Sequence, residues 1–147
     1  MKSQVLHSII FYKALDDILC ALPLATQGIR AGFPSPADDY LESSLDLNEL
    51  IIKDKEATFY GRVQGNSMED ALIYEGDIVV IDRSIEAKTG AIALCHLDGE
   101  FTVKTLEFAS DHIILKPANV EYNPIIVTQE NDFSVWGVVT YIIHKAR

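Results

Sequence analysis

Cysteine is scarce in this sequence, and its scarcity excludes a fold held together by disulfide bridges. Cys20 and Cys95 are the two cysteines in 147 residues. Small secreted domains that depend on disulfides carry a framework of several bridges, which two cysteines cannot build. The sequence therefore predicts reduced thiols and a protein of the cytoplasm.

Long apolar runs are also missing. The longest unbroken run covers residues 18–25 and contains Pro23, whereas a membrane-spanning helix needs about 20 apolar residues. Asp16 and Asp17 interrupt the segment that would have to serve as the apolar part of a secretory signal. We therefore expect neither a membrane anchor nor a signal peptide.

Basic residues are few relative to acidic ones. Lys and Arg number 12 against 22 Asp and Glu, which gives a formal net charge of −10. Broad contact with a phosphate backbone requires a cationic surface, so direct nucleic-acid binding is not expected. The sequence has no glycine-rich phosphate loop. Its four histidines show no spacing typical of zinc sites: His7, His96, His112 and His144. The sequence therefore predicts neither a metal nor a cofactor.

Alternating and continuous apolar patterns are abundant after residue 55, and they predict a mostly-β domain. Residues 57–64 alternate apolar and polar side chains, as a half-buried strand does. Short β-branched runs separated by turn residues then predict further strands: 78–81, 91–97, 113–115, 125–127 and 135–143.

The clearest local signal is a β-hairpin at Asp98-Gly99. Asp-Gly between two apolar segments favours a two-residue turn with positive φ. Lys104 then lies in the middle of the second strand, and alternation places it on the same face as Thr102 and Leu106.

Before residue 56 the patterns are weaker. Residues 1–31 mix apolar and polar residues without a clean period and are interpreted as an arm. Pro34 and Pro36 then favour an extended strap, and the acidic stretch 38–54 is either linker or one short helix. The predicted organisation is an arm (1–31), a linker or strap (32–55) and a β-rich domain (56–147).

Ser67 has two interpretations. It follows the first predicted strand and precedes Glu69, where a turn or short helix can begin, so its hydroxyl can cap that helix. Alternatively it is a nucleophile at a strand-to-helix turn. The backbone N–H groups of Asn66, Ser67 and Met68 then become candidates for an oxyanion hole.

Lys104 is equally ambiguous. A lysine within a strand usually runs its stem along apolar surface and keeps its ammonium in water. Its apolar flanks Val103, Leu106 and Phe108 also permit burial, which lowers the pKa of a lysine and makes it a neutral base. Such a base can activate Ser67. Cys95 and His96 fall on opposite strand faces, so they form no nucleophile pair, and Cys95 is expected in the core.

Five segments of this sequence resemble, in the same order, the UmuD family of SOS mutagenesis proteins: AGFPSP at 31–36, GNSM at 65–68, EGDIVVID at 75–82, EFTVK at 100–104 and WGVV at 136–139. The UmuD family is itself similar to the C-terminal self-cleavage domain of LexA. The resemblance covers most of residues 31–147. It implies a LexA C-terminal/UmuD-like peptidase domain with an extended N-terminal arm.

The resemblance also implies a mechanism and partners. Ser67 and Lys104 take the places of the family's catalytic serine and lysine, and the cleaved bond joins Ala31 to Gly32. Family members are homodimers whose self-cleavage is stimulated by RecA filaments on single-stranded DNA. The shortened product serves a UmuC-like Y-family polymerase in translesion synthesis. Asn66 departs from the family, which often has Asp there, and residues 1–20 match no family motif.

Three other protein classes fit less well. A LexA-type repressor needs a DNA-binding helix-turn-helix before the cleavage site, and 31 residues are too few. A signal peptidase needs a membrane anchor, and none is expected from this sequence. A non-enzymatic β module that only binds a polymerase remains as the alternative, with Ser67 as a helix cap and Lys104 solvated.

Overall fold

β-Strands dominate the parts of the chain that the structure, a computed structural model, describes: residues 3–6, 9–13, 21–24 and 43–146. The strands are β1 (Ser3–Leu6), β2 (Ile9–Lys13), β3 (Ala21–Leu24), β4 (Ser43–Asp46), β5 (Thr58–Val63), β6 (Ile78–Asp82), β7 (Ile92–Leu97), β8 (Glu100–Phe108), β9 (Ile113–Lys116), β10 (Ile125–Val127) and β11 (Phe133–Ile143). Two short helices accompany them, the α-helix α1 (Leu47–Ile51) and a 3-10 helix (Glu69–Ala71).

The chain forms two compact units. One comprises residues 1–14 with 54–147, and the other residues 15–53. The larger unit holds a nine-stranded sheet in the order β1-β2-β5-β6-β11-β7-β8-β9-β10, and each of its strand pairings is antiparallel. This mostly-β architecture confirms the predicted fold class. Each apolar run singled out after residue 55 forms a strand.

The smaller unit pairs β3 with β4 and continues into α1. Asp46 ends β4 and caps the helix, because its side chain accepts a hydrogen bond from the N–H of Asn48 at 2.9 Å. The helix therefore begins where a capping residue meets the apolar segment. This agrees with the short-helix alternative for the acidic stretch 38–54.

Two clusters of buried side chains lie on opposite faces of the β7–β8 ribbon, because successive strand residues point to opposite sides. The first cluster combines Leu94 and Val103 with residues of β5, β6 and the segment between them: Val63, Met68, Ile73, Val79 and Ile81. The second cluster combines three residues of the ribbon with one residue each of β9 and β10: Ala93, Cys95, Leu106, Leu115 and Val127. The ribbon that carries Lys104 is thus enclosed on both faces.

The hairpin between β7 and β8 has the predicted turn. Asp98 and Gly99 have φ angles of 47° and 88°, as a two-residue turn with two left-handed positions requires. The turn sets the register of the ribbon, so that Lys104 pairs with Ala93 and Thr102 pairs with Cys95.

The first strands of the chain belong to the large sheet, although no hydrophobic period marks residues 1–31. β1 pairs with β2, and β2 pairs with β5. Backbone pairing at a sheet edge needs no alternating side-chain pattern, which is why the sequence did not indicate it. Ala31, Gly32 and the proline strap lie outside the described residues, so the predicted division into arm, strap and peptidase domain stays a prediction.

Two features are absent from the described residues. They contain no helix long and apolar enough to cross a membrane. They also contain no group of three or more His, Cys, Asp or Glu side chains arranged to hold a metal ion.

Candidate active site

Ser67 lies in the turn that follows β5. The turn begins at Gly65, whose φ of 85° lies in the left-handed region that glycine adopts without strain. Met68, at 3% exposure, anchors the turn in the first core cluster. Met68 rather than Ser67 occupies the N-cap position of the 3-10 helix, and no side chain caps that helix. The helix-cap interpretation of Ser67 was therefore wrong, and its hydroxyl is available for another role.

Lys104 brings its amine to that hydroxyl. The side chain rises from the middle of β8, and the residue is 7% exposed, so the solvated interpretation was wrong as well. Its Nζ lies 3.0 Å from Ser67 Oγ, 2.7 Å from Thr102 Oγ1 and 3.0 Å from the Val103 carbonyl oxygen. The structure therefore brings together the two residues that the sequence singled out.

The three acceptors around Nζ fit both protonation states of the lysine. A charged ammonium has three N–H donors, one each for Ser67, Thr102 and Val103. A neutral amine has two N–H donors and one lone pair. If its two donors stay on Thr102 and Val103, the lone pair faces Ser67 Oγ, whose O–H can then donate to it. Burial lowers the pKa of Lys104 from its ordinary value because the charged form loses hydration.

Cys95 lies beside this pair but takes no part in its hydrogen bonds. It pairs with Thr102 across the ribbon and shares its face of the sheet. The residue is fully buried, which confirms the expectation of a core cysteine. Burial raises the pKa of Cys95 to about 12, with an opposing effect from the charge of Lys104. The thiol is therefore neutral at ordinary pH and a poor nucleophile.

A loop that sequence reasoning missed holds the serine turn in place. Asn119 Nδ2 donates to the Asn66 carbonyl at 2.8 Å, and the Ala118 N–H donates to the Ser67 carbonyl at 2.8 Å. Tyr122 Oη donates to Asn66 Oδ1 at 2.6 Å. A carboxylate oxygen would accept the same hydrogen bond, so the departure from the family's Asp preserves this tether. No spacing in the sequence indicated that this loop reaches the serine.

The backbone N–H groups proposed for an oxyanion hole are available. Within the described part of the chain, those of Asn66, Ser67 and Met68 donate no hydrogen bond to a protein acceptor. Ser67 and Lys104 both line a cleft of about 270 Å³. Its other walls include polar and apolar side chains: Gln64, Ile73, Val103, Tyr122, Asn123 and Ile125.

A serine hydroxyl bonded to a desolvated lysine, with unpaired N–H donors beside it, is an arrangement typical of serine hydrolases that use a lysine as general base. Asn66, Ser67, Met68 and Lys104 line one cleft, where the N–H donors can stabilise a developing negative charge. Fold and site together are those expected of a β-rich serine peptidase.

Comparison with known proteins identifies the family. Residues 23–140 match the family model described as Peptidase S24-like, and the chain belongs to this family. It is 43% identical to Protein SamA of Salmonella typhimurium strain LT2 over 132 residues, which cover 90% of this chain and 91% of SamA. It is 41% identical to Protein ImpA of Escherichia coli over 143 residues, which cover 95% and 97% of the two chains.

These relatives confirm the resemblance to the UmuD family. LexA repressor 1 of Xanthomonas campestris pv. campestris is 38% identical over 129 residues, which cover 88% of this chain but 63% of the repressor. The chain is therefore a member of the SOS-related self-cleaving peptidase family.

Proposed function

We propose that the protein is an autocatalytic serine endopeptidase that cuts its own chain between Ala31 and Gly32, with Ser67 as nucleophile and Lys104 as base. The observation that carries the proposal is the 3.0 Å contact between Lys104 Nζ and Ser67 Oγ at a buried position. Burying a lysine next to a hydroxyl lowers the stability of the fold, because the charged amine is poorly solvated there. A lysine kept at such a position in a cleft is therefore a candidate for a functional role.

The proposed reaction uses the contact between Lys104 and Ser67. Neutral Lys104 takes the Ser67 hydroxyl proton while Oγ attacks the carbonyl carbon of Ala31. The carbonyl oxygen becomes an oxyanion, which the N–H groups of the serine turn stabilise. When the C–N bond breaks, the lysine ammonium returns the proton to the Gly32 amine. Water, deprotonated by Lys104, then hydrolyses the ester, and this leaves a carboxylate at Ala31 and a free hydroxyl at Ser67.

Small residues at the scissile bond suit this cleft. With a methyl group at Ala31 and no side chain at Gly32, the backbone can approach Ser67 closely, and Gly32 tolerates conformations that other residues do not. A Trp at either position should therefore suppress cleavage. The fragment released should begin at Gly32, and N-terminal sequencing reads this directly.

The partners we propose follow from the family and the charge. The protein acts in the cytoplasm as a homodimer, RecA filaments on single-stranded DNA stimulate its cleavage, and the processed form serves a UmuC-like Y-family polymerase. A net charge of −10 means that contact with the filament runs through its protein rather than its DNA. The end strands β1 and β10 of the large sheet leave edges that a second copy can cover.

The non-enzymatic module is less well supported. It requires Ser67 as a cap and Lys104 in water, whereas Met68 holds the N-cap position and Lys104 is 7% exposed. No described feature favours it over the peptidase.

The test is the mass of the purified protein before and after incubation with RecA, ATP and single-stranded DNA. Cleavage should yield two products, the larger being residues 32–147. Ser67→Ala and Lys104→Arg should abolish cleavage, because the first lacks the nucleophile and the second stays charged. Both variants must keep the parent's circular dichroism. An intact parent chain, or cleavage at parental rate in either variant, would overturn the proposal.

A further inference from the structure

The serine turn is restrained through its carbonyl groups. The Asn66 carbonyl accepts from Asn119 Nδ2 at 2.8 Å and, at 3.3 Å, from the Glu69 N–H, and the Ser67 carbonyl accepts from the Ala118 N–H at 2.8 Å. The two shorter contacts come from the loop that follows β9. In return, the Ala118 carbonyl accepts from the Asp70 N–H at 2.7 Å, so the loop and the turn hold each other from both sides.

A restrained carbonyl fixes the direction of the next N–H. Each peptide group is planar and trans, and the described chain has no cis bond, so the C=O of one residue and the N–H of the next point in opposite directions. The carbonyl of Asn66 points toward Asn119, and the N–H of Ser67 therefore points away from the loop. By the same argument, the Ala118 contact sets the direction of the Met68 N–H.

These two N–H groups are the ones the proposed reaction needs. Within the described residues they donate to no acceptor, and Ser67 and Met68 both line the cleft. If either peptide group flipped, a carbonyl oxygen would replace the donor and repel the oxyanion. Donor orientation is therefore a condition for transition-state stabilisation rather than for the hydrogen bond between Ser67 and Lys104.

We propose that Asn119 is a positioning residue that holds the Asn66–Ser67 peptide group in the orientation required for the oxyanion hole, with the Ala118 N–H doing the same for the next peptide group. This inference rests on the proposed function. Within the described residues, the side chain of Asn119 makes no hydrogen bond to Lys104 or to Ser67 Oγ, so it acts through the backbone. Its role is to hold the Ser67 N–H in the orientation that stabilises the oxyanion before the substrate segment binds.

The side chain of Asn119 allows a sharp substitution. Its Nδ2 holds the Asn66 carbonyl, while its Oδ1 accepts from the Glu121 N–H at 2.9 Å and shapes its own loop. Asn119→Asp keeps the second contact and loses the first, because a carboxylate has no donor. It also adds a negative charge. Val120→Asp adds the same charge to the same loop, at a residue that is 96% exposed and does not line the cleft, and serves as the matched charge control.

The experiment measures the first-order rate of self-cleavage of the full chain, without filament, across an alkaline pH range. Loss of one oxyanion donor costs about 10²–10³ in rate. Because the donor is misdirected rather than deleted, we expect Asn119→Asp to cleave about 10- to 100-fold more slowly than Val120→Asp. Asn119→Ala should be slowed in the same direction, and it tests the inference if the Asp variant does not fold.

The pH profile separates positioning from general damage. Asn119→Asp should keep the pH midpoint of Val120→Asp and lose only plateau rate, because both variants add one negative charge to the same loop and keep the hydrogen-bond partners of Lys104. A midpoint moved toward that of an exposed lysine would mean that the pair itself had opened, which overturns the inference. Equal rates in Asn119→Asp and Val120→Asp would also overturn the inference, and cleavage by the parent would then leave the proposed function standing. A parent that never cleaves would reject the proposed function instead.

Discussion

Thr102→Val tests how the lysine is held. Thr102 Oγ1 accepts from Lys104 Nζ at 2.7 Å, the shortest of the three contacts of that amine. Valine has nearly the same shape and keeps the β-branch that favours a strand, so the change removes the hydroxyl and little else. Two effects follow, one on the pKa of Lys104 and one on its orientation.

The expected effect on the pKa has a definite sign. Hydrogen bonds to charged groups contribute about 1.5–3 kcal/mol and those to neutral groups about 0.5–1.5 kcal/mol. Losing Thr102 therefore penalises the ammonium more than the amine, by about 1–1.5 kcal/mol. At 1.36 kcal/mol per pH unit, the midpoint of the pH–rate profile should move to lower pH by about one unit. Lys104 is 7% exposed, so solvent screening reduces this effect little.

The expected effect on orientation opposes the gain in neutral lysine. Without Thr102, the two N–H groups of the neutral amine retain one fixed acceptor, the Val103 carbonyl, and the lone pair no longer faces Ser67 reliably. Misalignment of a reacting group lowers rates steeply. The plateau rate at high pH should therefore fall by about tenfold, although the midpoint moves toward neutrality.

The assay is filament-free self-cleavage followed by mass spectrometry from neutral to alkaline pH. Thr102→Ser keeps a hydroxyl and should retain the parent midpoint, whereas Lys104→Arg should show no cleavage at any pH. Thermal unfolding checks that each variant folds. A Thr102→Val profile with an unchanged midpoint, or one moved to higher pH, would refute the assignment of Thr102 as an acceptor that stabilises the charged lysine.

Three further predictions concern the scaffold. In a Cys20→Ser background, Cys95 should resist thiol reagents in the folded protein and react on unfolding. The reason is that Cys95 is fully buried and its pKa is raised to about 12. Rapid labelling of the native protein would contradict this prediction. Gly137→Ala should lower the free energy of unfolding by about 1–3 kcal/mol, since its Cβ would lie 2.5 Å from Cγ2 of the fully buried Ile81; chemical denaturation measures the loss, and unchanged stability would be the contrary result. With the serine inactivated, the contribution of Lys104 to stability should rise with pH between its lowered folded pKa and its ordinary 10.5, because over that window the unfolded lysine binds a proton that the folded one has released. Above about pH 9 the raised pKa of Cys95 acts in the opposite sense, so the measurement is the difference in slope from Lys104→Met, and equal slopes in the two proteins would exclude Lys104 as a source.

Much of the fold could be predicted from local signals. Alternation of apolar and polar residues located β5, and continuous apolar runs located β6, β7, β9, β10 and β11, because strands that are buried on both faces are apolar throughout. The Asp98-Gly99 turn predicted a hairpin whose register follows from the turn itself. Counting from that turn placed Lys104 in mid-strand, facing the same way as Thr102, and the hydrogen bond between them agrees.

What local signals could not predict depends on contacts between distant segments. Ser67 and Lys104 are 37 residues apart, and the contact of Asn119 with the serine turn spans 53. Such proximity arises from the order of strands in the sheet, which periodicity does not encode. The sequence therefore supplied the residue types of the pair, and the family resemblance rather than the pattern joined them. The tethers from Asn119 and Tyr122 had no comparable signal.

The arrangement of the pair bears on how cleavage is regulated. Ser67 and Lys104 are in hydrogen-bond contact, and the turn that carries Ser67 is tied to the loop at Ala118 and Asn119. All of these contacts are made between described residues that follow β5. If the proposed function holds, docking of the Ala31–Gly32 segment in the cleft is a step at which cleavage can be controlled. A stimulating filament then needs only to bind the docked arrangement more tightly than the undocked one. It need contribute no catalytic group, and the Thr102→Val shift in pH midpoint should persist at the same size when the filament is present.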